Sequence, residues 1–579
     1  MNQKTFVFVS TIKAKSHKIV ILLIRYTFYM LHNKTLTIPR LFKETVKKHS
    51  ERDALAVAGE KPLTYGTVNE KIQATIAFLE KMGVRPGDRV AILSMNMPNW
   101  GVVYLATTFM GAIVVPLLPD FHPNEVRNII EHSGAKVIFV SDSLRKKAEN
   151  ISGEQLENIV GIEKMTVISP EERSVHFNPM EKPAHTYRVE EDDPATIIYT
   201  SGTTGKSKGV MLSHKNITFT ALQTLKIQHV KPEDRLLSIL PLSHTYENTL
   251  GFIIPMICGA SVHYLGKPPT PSVLLPALKQ VKPTVMLSVP MIMEKIYRNK
   301  ILPALKKNWY MRSLYKIPPV RKKMNEAAGK KLMKTFGGHV KFFGIGGAKL
   351  DKIVEQFLRE ARFPYAIGYG LTETSPLLAG ANAENIKFKS TGPPLEGVEL
   401  KIHNPNKRTG EGEIWAKGPN VMLGYYKQPE LTRETITEDG WFKTGDLGVF
   451  DKDNFLYIKG RLKNMIVGDN GENIYPEEIE SVINNFRHVA ESIVVRKKGK
   501  LVAMVHFNTE ELAQKYQELK EGVNQYFDWK LEELRHELHT YINLRVNRFS
   551  RIQQVMLQNE PFQKTATHKI KRFLYNREQ

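Results

Sequence analysis

The sequence predicts an α/β protein: a large N-terminal domain of βαβ-type sheets covered by helices, followed by a small α+β domain. Three observations predict it. At 579 residues the chain is too long for one ordinary domain. From about Leu36, apolar runs of strand length alternate with amphipathic segments of helix length. Past about Arg461 that rhythm gives way to a helix, two strands and a polar helical segment.

The elements follow in order. Residues 1–34 are basic and carry an apolar stretch, Ile19–Ile24, broken by Arg25. A bilayer span needs roughly 20 mostly apolar residues, and a secretory signal needs a small-residue cleavage site, which does not follow. The segment is therefore read as an extension outside the fold, or as a translation start misplaced ahead of Met30. Val90–Leu93, Ala112–Pro116 and Lys136–Val140 are buried strands between helices, the pattern of a parallel sheet covered on both faces. In the small domain, Asn473 to Asn485 is read as a helix, with strands around Ile493–Val495 and Leu501–Phe507. The polar stretch from Glu510 to about Leu544, with Leu512, Tyr516 and Leu519 at helical spacing, is read as a surface helix packed on that sheet.

Composition narrows the function. A single cysteine, Cys258, rules out an intrachain disulfide and a cysteine-based zinc site, and fits a reducing compartment. Lying in the apolar run 253–258, it is read as a small buried hydrophobe. The 82 Lys and Arg against 59 Asp and Glu give +23, a field that favours polyanions such as nucleotides, coenzyme A, anionic lipid or nucleic acid. The cations are dispersed except for runs at Lys306–Lys334 and Arg496–Lys500, each read as a solvated face. No recognition helix, zinc finger or basic–aromatic interleaving is present, which argues against nucleic acid as a partner.

The chemistry concentrates in Thr196–Val210, where a strand-like run enters a loop of Gly, Ser, Thr and Lys. Small residues let backbone N–H groups approach a phosphate. The hydroxyls of Ser201, Thr203 and Thr204 can donate to it, and Lys206 and Lys208 supply charge. It is not a P-loop, because Gly202 and Gly205 stand too close together.

Ser-Gly-Thr-Thr-Gly-Lys-Ser-Lys-Gly resembles the phosphate loop of the adenylate-forming (AMP-binding) superfamily, with Ser207 where many members have proline. That resemblance implies triphosphate contacts from Thr200, Ser201, Gly202, Thr203, Thr204, Gly205 and Lys208. Gly346-Gly347-Ala348 and Tyr369-Gly-Leu-Thr-Glu-Thr-Ser-Pro376 resemble the adenine and magnesium region. There, by resemblance, Tyr369 stacks on adenine, Thr372 contacts phosphate, and Glu373 with Thr200 holds Mg²⁺. Trp441–Gly448 supplies Asp446 for the ribose hydroxyls; Gly460–Asn464 supplies Arg461, a second ribose contact, and Lys463 at the interdomain hinge. Gly471–Glu480 matches the opening segment of the family's small domain. Phe562–Arg572 resembles the terminal motif that carries the adenylation lysine, here Lys569, flanked by Lys564 and Lys571. His568 replaces a common glycine, and from Arg572 onward the chain is read as a basic tail. Pro241–Gly251 resembles the block beside the acyl pocket, with His244 as gate; its Ser-His-Thr-Tyr-Glu form is similar to the long-chain fatty acid branch. It lacks the aspartate by which amino-acid-activating relatives bind an amine.

Blocks in the family's order, spread over Leu36 to Arg572, carry the resemblance. It implies domains at 35–460 and 464–579 about a hinge at 461–463, the small domain being mobile. The activity implied is ATP-dependent ligation of a long-chain fatty acid to coenzyme A through an acyl-adenylate, with Mg²⁺ as cofactor and release of pyrophosphate and AMP. An acyl-carrier-protein ligase or a fatty acyl-AMP ligase is the alternative, because carrier and coenzyme A present the same thiol; no carrier domain follows Gln579, which favours a free acceptor. The implied setting is cytoplasmic, with the Lys306–Lys334 insert available to meet anionic membrane at its inner face.

Overall fold

The computed structural model describes residues 36–148, 151, 156–169, 175–201, 207–468, 472–508, 512, 523–565 and 569–576. The expectations for residues 1–34, for Gly202, Thr203, Thr204, Gly205 and Lys206, and for His568 lie outside these residues, as do Tyr516 and Leu519.

The large domain holds two mainly parallel sheets, one of seven strands and one of eight. The anticipated runs form neighbouring strands of the second: Ile113–Leu117 and Ala135–Val140 flank Arg89–Leu93, all parallel. Nearly every residue in them is buried, which is why, apart from Arg89 and Lys136 near their starts, they are apolar and do not alternate. Helix Pro98–Phe109 lies between the two sheets, touching Asp53–Val57 of the first and Arg89–Leu93 and Ile113–Leu117 of the second. Every residue from Trp100 to Phe109 is buried, as expected for a helix apolar all round. A third sheet was not anticipated. Glu399–His403, Gly412–Lys417, Phe442–Phe450 and Leu456–Arg461 pair antiparallel, with one face buried and one open.

In the small domain, Val489–Lys497, Lys500–Phe507 and Gln554–Leu557 form one sheet. Ile479, Ile483, Leu534 and Leu538 from two helices pack with Val494 and Ala503 on one side. The helix expected over 473–485 begins only at Pro476, because Asn473–Ile474 pairs with Ile466–Val467, and proline suits a first helical turn. The polar segment contributes helix Val523–Asn543. The tail expected from Arg572 is built into the domain as far as described. Arg572 pairs with Glu480, and Tyr575 packs edge-on against Phe562, ring centroids 5.1 Å apart. No helix among the described residues is long and apolar enough to cross a membrane.

Candidate active site

Hairpin strands Pro194–Ser201 and Ser207–Ser213 pair with Thr200 opposite Lys208, so both ends of the phosphate-loop motif stand at one rim. Val210 on the outgoing strand pairs with Tyr425, whose hydroxyl donates to Glu373 Oε1 at 2.9 Å. Lys208 Nζ lies 5.2 Å from the centre of the Tyr425 ring. Tyr425 thus ties the loop to the expected metal ligand. Burial and the neighbouring Lys463 pull the Lys208 ammonium below its ordinary pKa, while Glu373 and Glu434 oppose them.

The segment carrying Glu373 is shaped by close backbone approach. Tyr369–Gly370 pairs with Leu377–Ala379, and a Cβ at Gly370 would sit 1.8 Å from the Pro376 carbonyl oxygen. Only glycine fits there. Between them, Thr372–Thr374 makes a short 3₁₀ turn, held by the Thr374 hydroxyl donating to the Pro376 carbonyl at 2.6 Å. Thr372 and Glu373 are left half-buried and facing the cleft.

Asp446 and Arg461 face each other on neighbouring strands of the third sheet, so the expected ribose pair is set by strand register. Arg461 Nε meets Asp446 Oδ1 at 2.7 Å, and the Tyr369 hydroxyl donates to Oδ2 at 2.9 Å. Each carboxylate oxygen keeps a second lone pair for a ligand. Asp446 is 5% exposed, and its burial pushes the carboxyl above the usual range although Arg461 and Tyr369 oppose this. Gly346, Gly347 and Ala348 leave strand Phe342–Ile345, and a Cβ at Gly346 would meet the Tyr246 ring at 3.0 Å.

His244 is enclosed, and burial followed by the Lys569 charge lowers its pKa to about 4, so the imidazole is neutral. Its Nδ1 accepts from the Tyr246 N–H at 3.3 Å, which leaves the ring proton on Nε2.

Lys569 comes from the other domain. Phe562 is buried against Ile493, Val495, Val502 and Met504, anchoring a hairpin on the outer face of the small sheet. Lys564 and Ile570 bridge across it, Thr565 N donates to the Lys569 carbonyl at 2.8 Å, and Lys564 pairs with Glu491. Lys571 N donates to the Gln563 carbonyl at 2.8 Å, so Lys571 flanks the hairpin on its return strand. The hairpin carries Lys569 into the cleft, within electrostatic reach of Arg461, Asp446, Glu373 and His244. The cleft walls enclose the side chain while leaving it open to the cleft itself. That enclosure, then Arg461, lowers its pKa; Asp446 and Glu373 act the other way.

The domains are latched by Asp351. Its Oδ1 accepts from Ile353 N at 2.8 Å, capping helix Lys352–Glu360, while Oδ2 accepts from Ser481 Oγ at 2.9 Å and from Asn485 Nδ2. Lys349 and Glu478 add an ion pair at 3.3 Å.

Thr200, Lys208, His244, Tyr369, Thr372, Glu373, Asp446, Arg461, Lys463 and Lys569 all line one cleft of roughly 2760 Å³, with Gly347 and Ala348. Of these side chains four are cationic, Lys208, Arg461, Lys463 and Lys569, and two are carboxylates, Glu373 and Asp446, a balance suited to an anionic ligand. No group of three or more His, Cys, Asp or Glu that could hold a metal exists among the described residues. One carboxylate, Glu373, fits Mg²⁺ brought in by a phosphate ligand, since that ion is commonly held by one or two carboxylates, waters and substrate phosphates. The same cleft has an apolar portion formed by helices Pro271–Val281, Pro290–Ile296 and Pro318–Thr335, a groove lined by Leu274, Leu278, Ile296, Leu305 and Leu332. Tyr425, Tyr246 and Asp351 escaped the sequence reading. Their partners lie 52 to 134 residues away, or are visible only as a close approach to glycine.

A family model described as AMP-binding enzyme matches residues 42–426. Over 461 residues the chain is 31% identical to the long-chain-fatty-acid–CoA ligase FadD15 of Mycobacterium bovis, spanning 75% of both chains. Over 477 residues it is 29% identical to 4-coumarate–CoA ligase 2 of Nicotiana tabacum, spanning 79% of this chain and 81% of that one. Among solved structures, o-succinylbenzoate CoA synthetase of Bacillus subtilis in complex with an acyl-adenylate superposes with a TM-score of 0.73 at 23% identity, covering 94% of this chain and 99% of the other, a likeness of fold.

Proposed function

The chain belongs to the AMP-binding enzyme family, and from that premise we propose that it joins a long-chain fatty acid to coenzyme A through an acyl-adenylate. The observation that carries the proposal is the meeting of Lys569, Glu373, Asp446 and His244 in one cleft that also holds an apolar groove. Such a groove suits an alkyl chain, and a neutral imidazole with a cationic amine in the same cleft suits a carboxylate.

In the first half-reaction a carboxylate oxygen of the acid attacks the α-phosphorus of ATP. The bond to the β-phosphate oxygen breaks, and pyrophosphate leaves. Both reactants are anions, so the protein's part is positioning and charge neutralisation. Asp446 and Arg461 hold the ribose and Tyr369 flanks the adenine. The 200–208 segment, with Gly347, Ala348 and Thr372, aligns the phosphates. Lys569 stabilises charge at the α-phosphate, and the neutral His244 Nε2–H orients the carboxylate. Glu373 and Thr200 would hold Mg²⁺, which would supply charge neutralisation at the phosphates. In the second half-reaction a thiol sulfur attacks the acyl carbonyl, forming the thioester and expelling AMP. That requires Lys569 to withdraw, and residues 461–463 are the proposed hinge between domains 35–460 and 464–579.

The test is exchange of labelled pyrophosphate into ATP, driven by acids of graded length, followed by addition of coenzyme A. The expected result is exchange that peaks with long acids, with thioester on addition. Exchange without thioester makes a carrier protein the acceptor, and no exchange with any carboxylate overturns the reading.

A further inference from the structure

Helix Pro290–Ile296 has only 7 residues, too few to be stable alone, so its place is set by what it touches. Met291, Ile292 and Ile296 line the cleft, and Met293 is fully buried in the same apolar cluster as Leu350. Glu294 reaches to the segment that follows the expected nucleotide glycines. Its Oε1 accepts from the Asp351 N–H at 3.0 Å, across 57 residues of sequence, and its Oε2 lies 3.8 Å from Arg298 one helical turn on. A second joint lies just beyond. The helix widens into a π turn at Tyr297–Ile301, and the buried Tyr297 packs on the buried Phe357, ring centroids 5.1 Å apart. Phe357 belongs to helix Lys352–Glu360, the one that Asp351 caps. The groove wall is therefore fastened to that helix at two points.

Residues 346–351 thus touch three parts of the molecule. Gly347 and Ala348 line the cleft, and the Asp351 N–H is held by the groove helix. Lys349 and the Asp351 carboxylate hold Glu478, Ser481 and Asn485 of the small domain. A close-packed interior has little slack, so a wall shifted by a bound chain shifts what is fastened to it. The Asp351 backbone and side chain are 1 residue's two ends of that linkage: the N–H answers to the groove, the carboxylate to the small domain.

We infer that Glu294 is a positioning residue that couples occupancy of the apolar groove to docking of the small domain, by way of Asp351. That the occupant is an alkyl chain rests on the long-chain substrate proposed above. Coupling of this kind is reciprocal: the factor by which a bound chain favours docking is the factor by which docking favours the chain.

Two unreactive esters, hexadecyl-AMP and butyl-AMP, test this apart from catalysis, because they share a nucleotide and differ only in the tail. Amide hydrogen exchange over residues 476–485 reads docking, and calorimetry reads affinity. Hexadecyl-AMP should protect that segment about fivefold more than butyl-AMP does, the low end of ordinary coupling between sites. Glu294→Ala should abolish the excess, whereas Glu294→Gln, which keeps an acceptor for the Asp351 N–H, should retain most of it. The double change Ser481→Ala, Asn485→Ala, made outside the groove, should cut the affinity advantage of hexadecyl-AMP by a similar factor. Equal protection by both esters, when the long one binds more tightly, overturns the inference. So does an excess that survives Glu294→Ala, or one lost equally in a folded Glu294→Gln. An affinity advantage unchanged by the small-domain substitutions overturns it too, however Glu294→Ala folds. If hexadecyl-AMP binds no more tightly than butyl-AMP, the long-chain reading itself fails and the inference falls with it.

Discussion

In the proposed reaction Lys569 stands where two demands conflict: it would have to keep its proton to stabilise phosphate charge, yet the enclosing cleft and Arg461 favour losing it. Lys569→Ala should cut pyrophosphate exchange by about 10²–10³, the usual cost of one charged stabiliser. It should spare thioester formation from supplied acyl-adenylate, and an equal loss of both half-reactions in folded protein would overturn the assigned role. The lowered pKa adds a pH signature. The active form is protonated, so exchange should decline as pH rises through a value below the ordinary lysine pKa of about 10.4. Lys569→Arg, whose guanidinium does not titrate there, should move that alkaline limb upward. Lys569, Asp446 and Glu373 were legible because each sits in a short contiguous motif. Tyr425 was not, although it holds Glu373, because its role depends on strand pairing that brings it beside Val210.

Among the elements, the 369–377 ribbon and helix His214–Ile227 make the sharpest demands on sequence. Gly370→Ala removes no functional group, but its methyl would collide with the Pro376 carbonyl and displace Tyr369 and Glu373. Exchange activity should fall at least tenfold with little change in fold content by circular dichroism. His214 begins its helix fully buried, its Nδ1 accepting from the Ile38 N–H at 3.4 Å. Burial lowers its pKa to about 4, against the opposing charge of Asp193. With an unfolded value near 6.5, this group's contribution is fully present above that pH and is lost as pH falls toward about 4, on the order of 3 kcal/mol in all. Thermal denaturation should therefore steepen its decline between these limits, and His214→Asn, which keeps an acceptor, should flatten it. The strands of the second sheet were readable as apolar runs because both faces are covered. The third sheet was missed because its strands alternate and are interrupted by glycine and charge, as in Phe442–Phe450.

For the molecule as a whole, if residues 461–463 act as the proposed hinge, the balance between half-reactions turns on how firmly the small domain stays docked. Asp351→Ser keeps a helix-capping oxygen but loses the charged acceptor for Ser481 and Asn485. Hydrogen bonds to a charged group are worth about 1.5–3 kcal/mol, so adenylation should slow tenfold or more while thioester formation from supplied acyl-adenylate persists. Stopped-flow measurement of each half-reaction checks this. The small sheet and its helices were legible from the change in pattern past about Arg461, whereas this contact was not, because nothing local marks an aspartate whose partners lie 130 residues or more away. Cys258 gives the same question a practical answer. It is the chain's sole cysteine, half-buried against the core, and burial pushes its thiol up to about 12. So little thiolate forms at neutral pH that alkylating dyes should pass it by. A cysteine engineered on each side of the boundary would then carry the fluorophores almost alone, and energy transfer between them would test the swing proposed for the small domain without first stripping the native protein of a thiol.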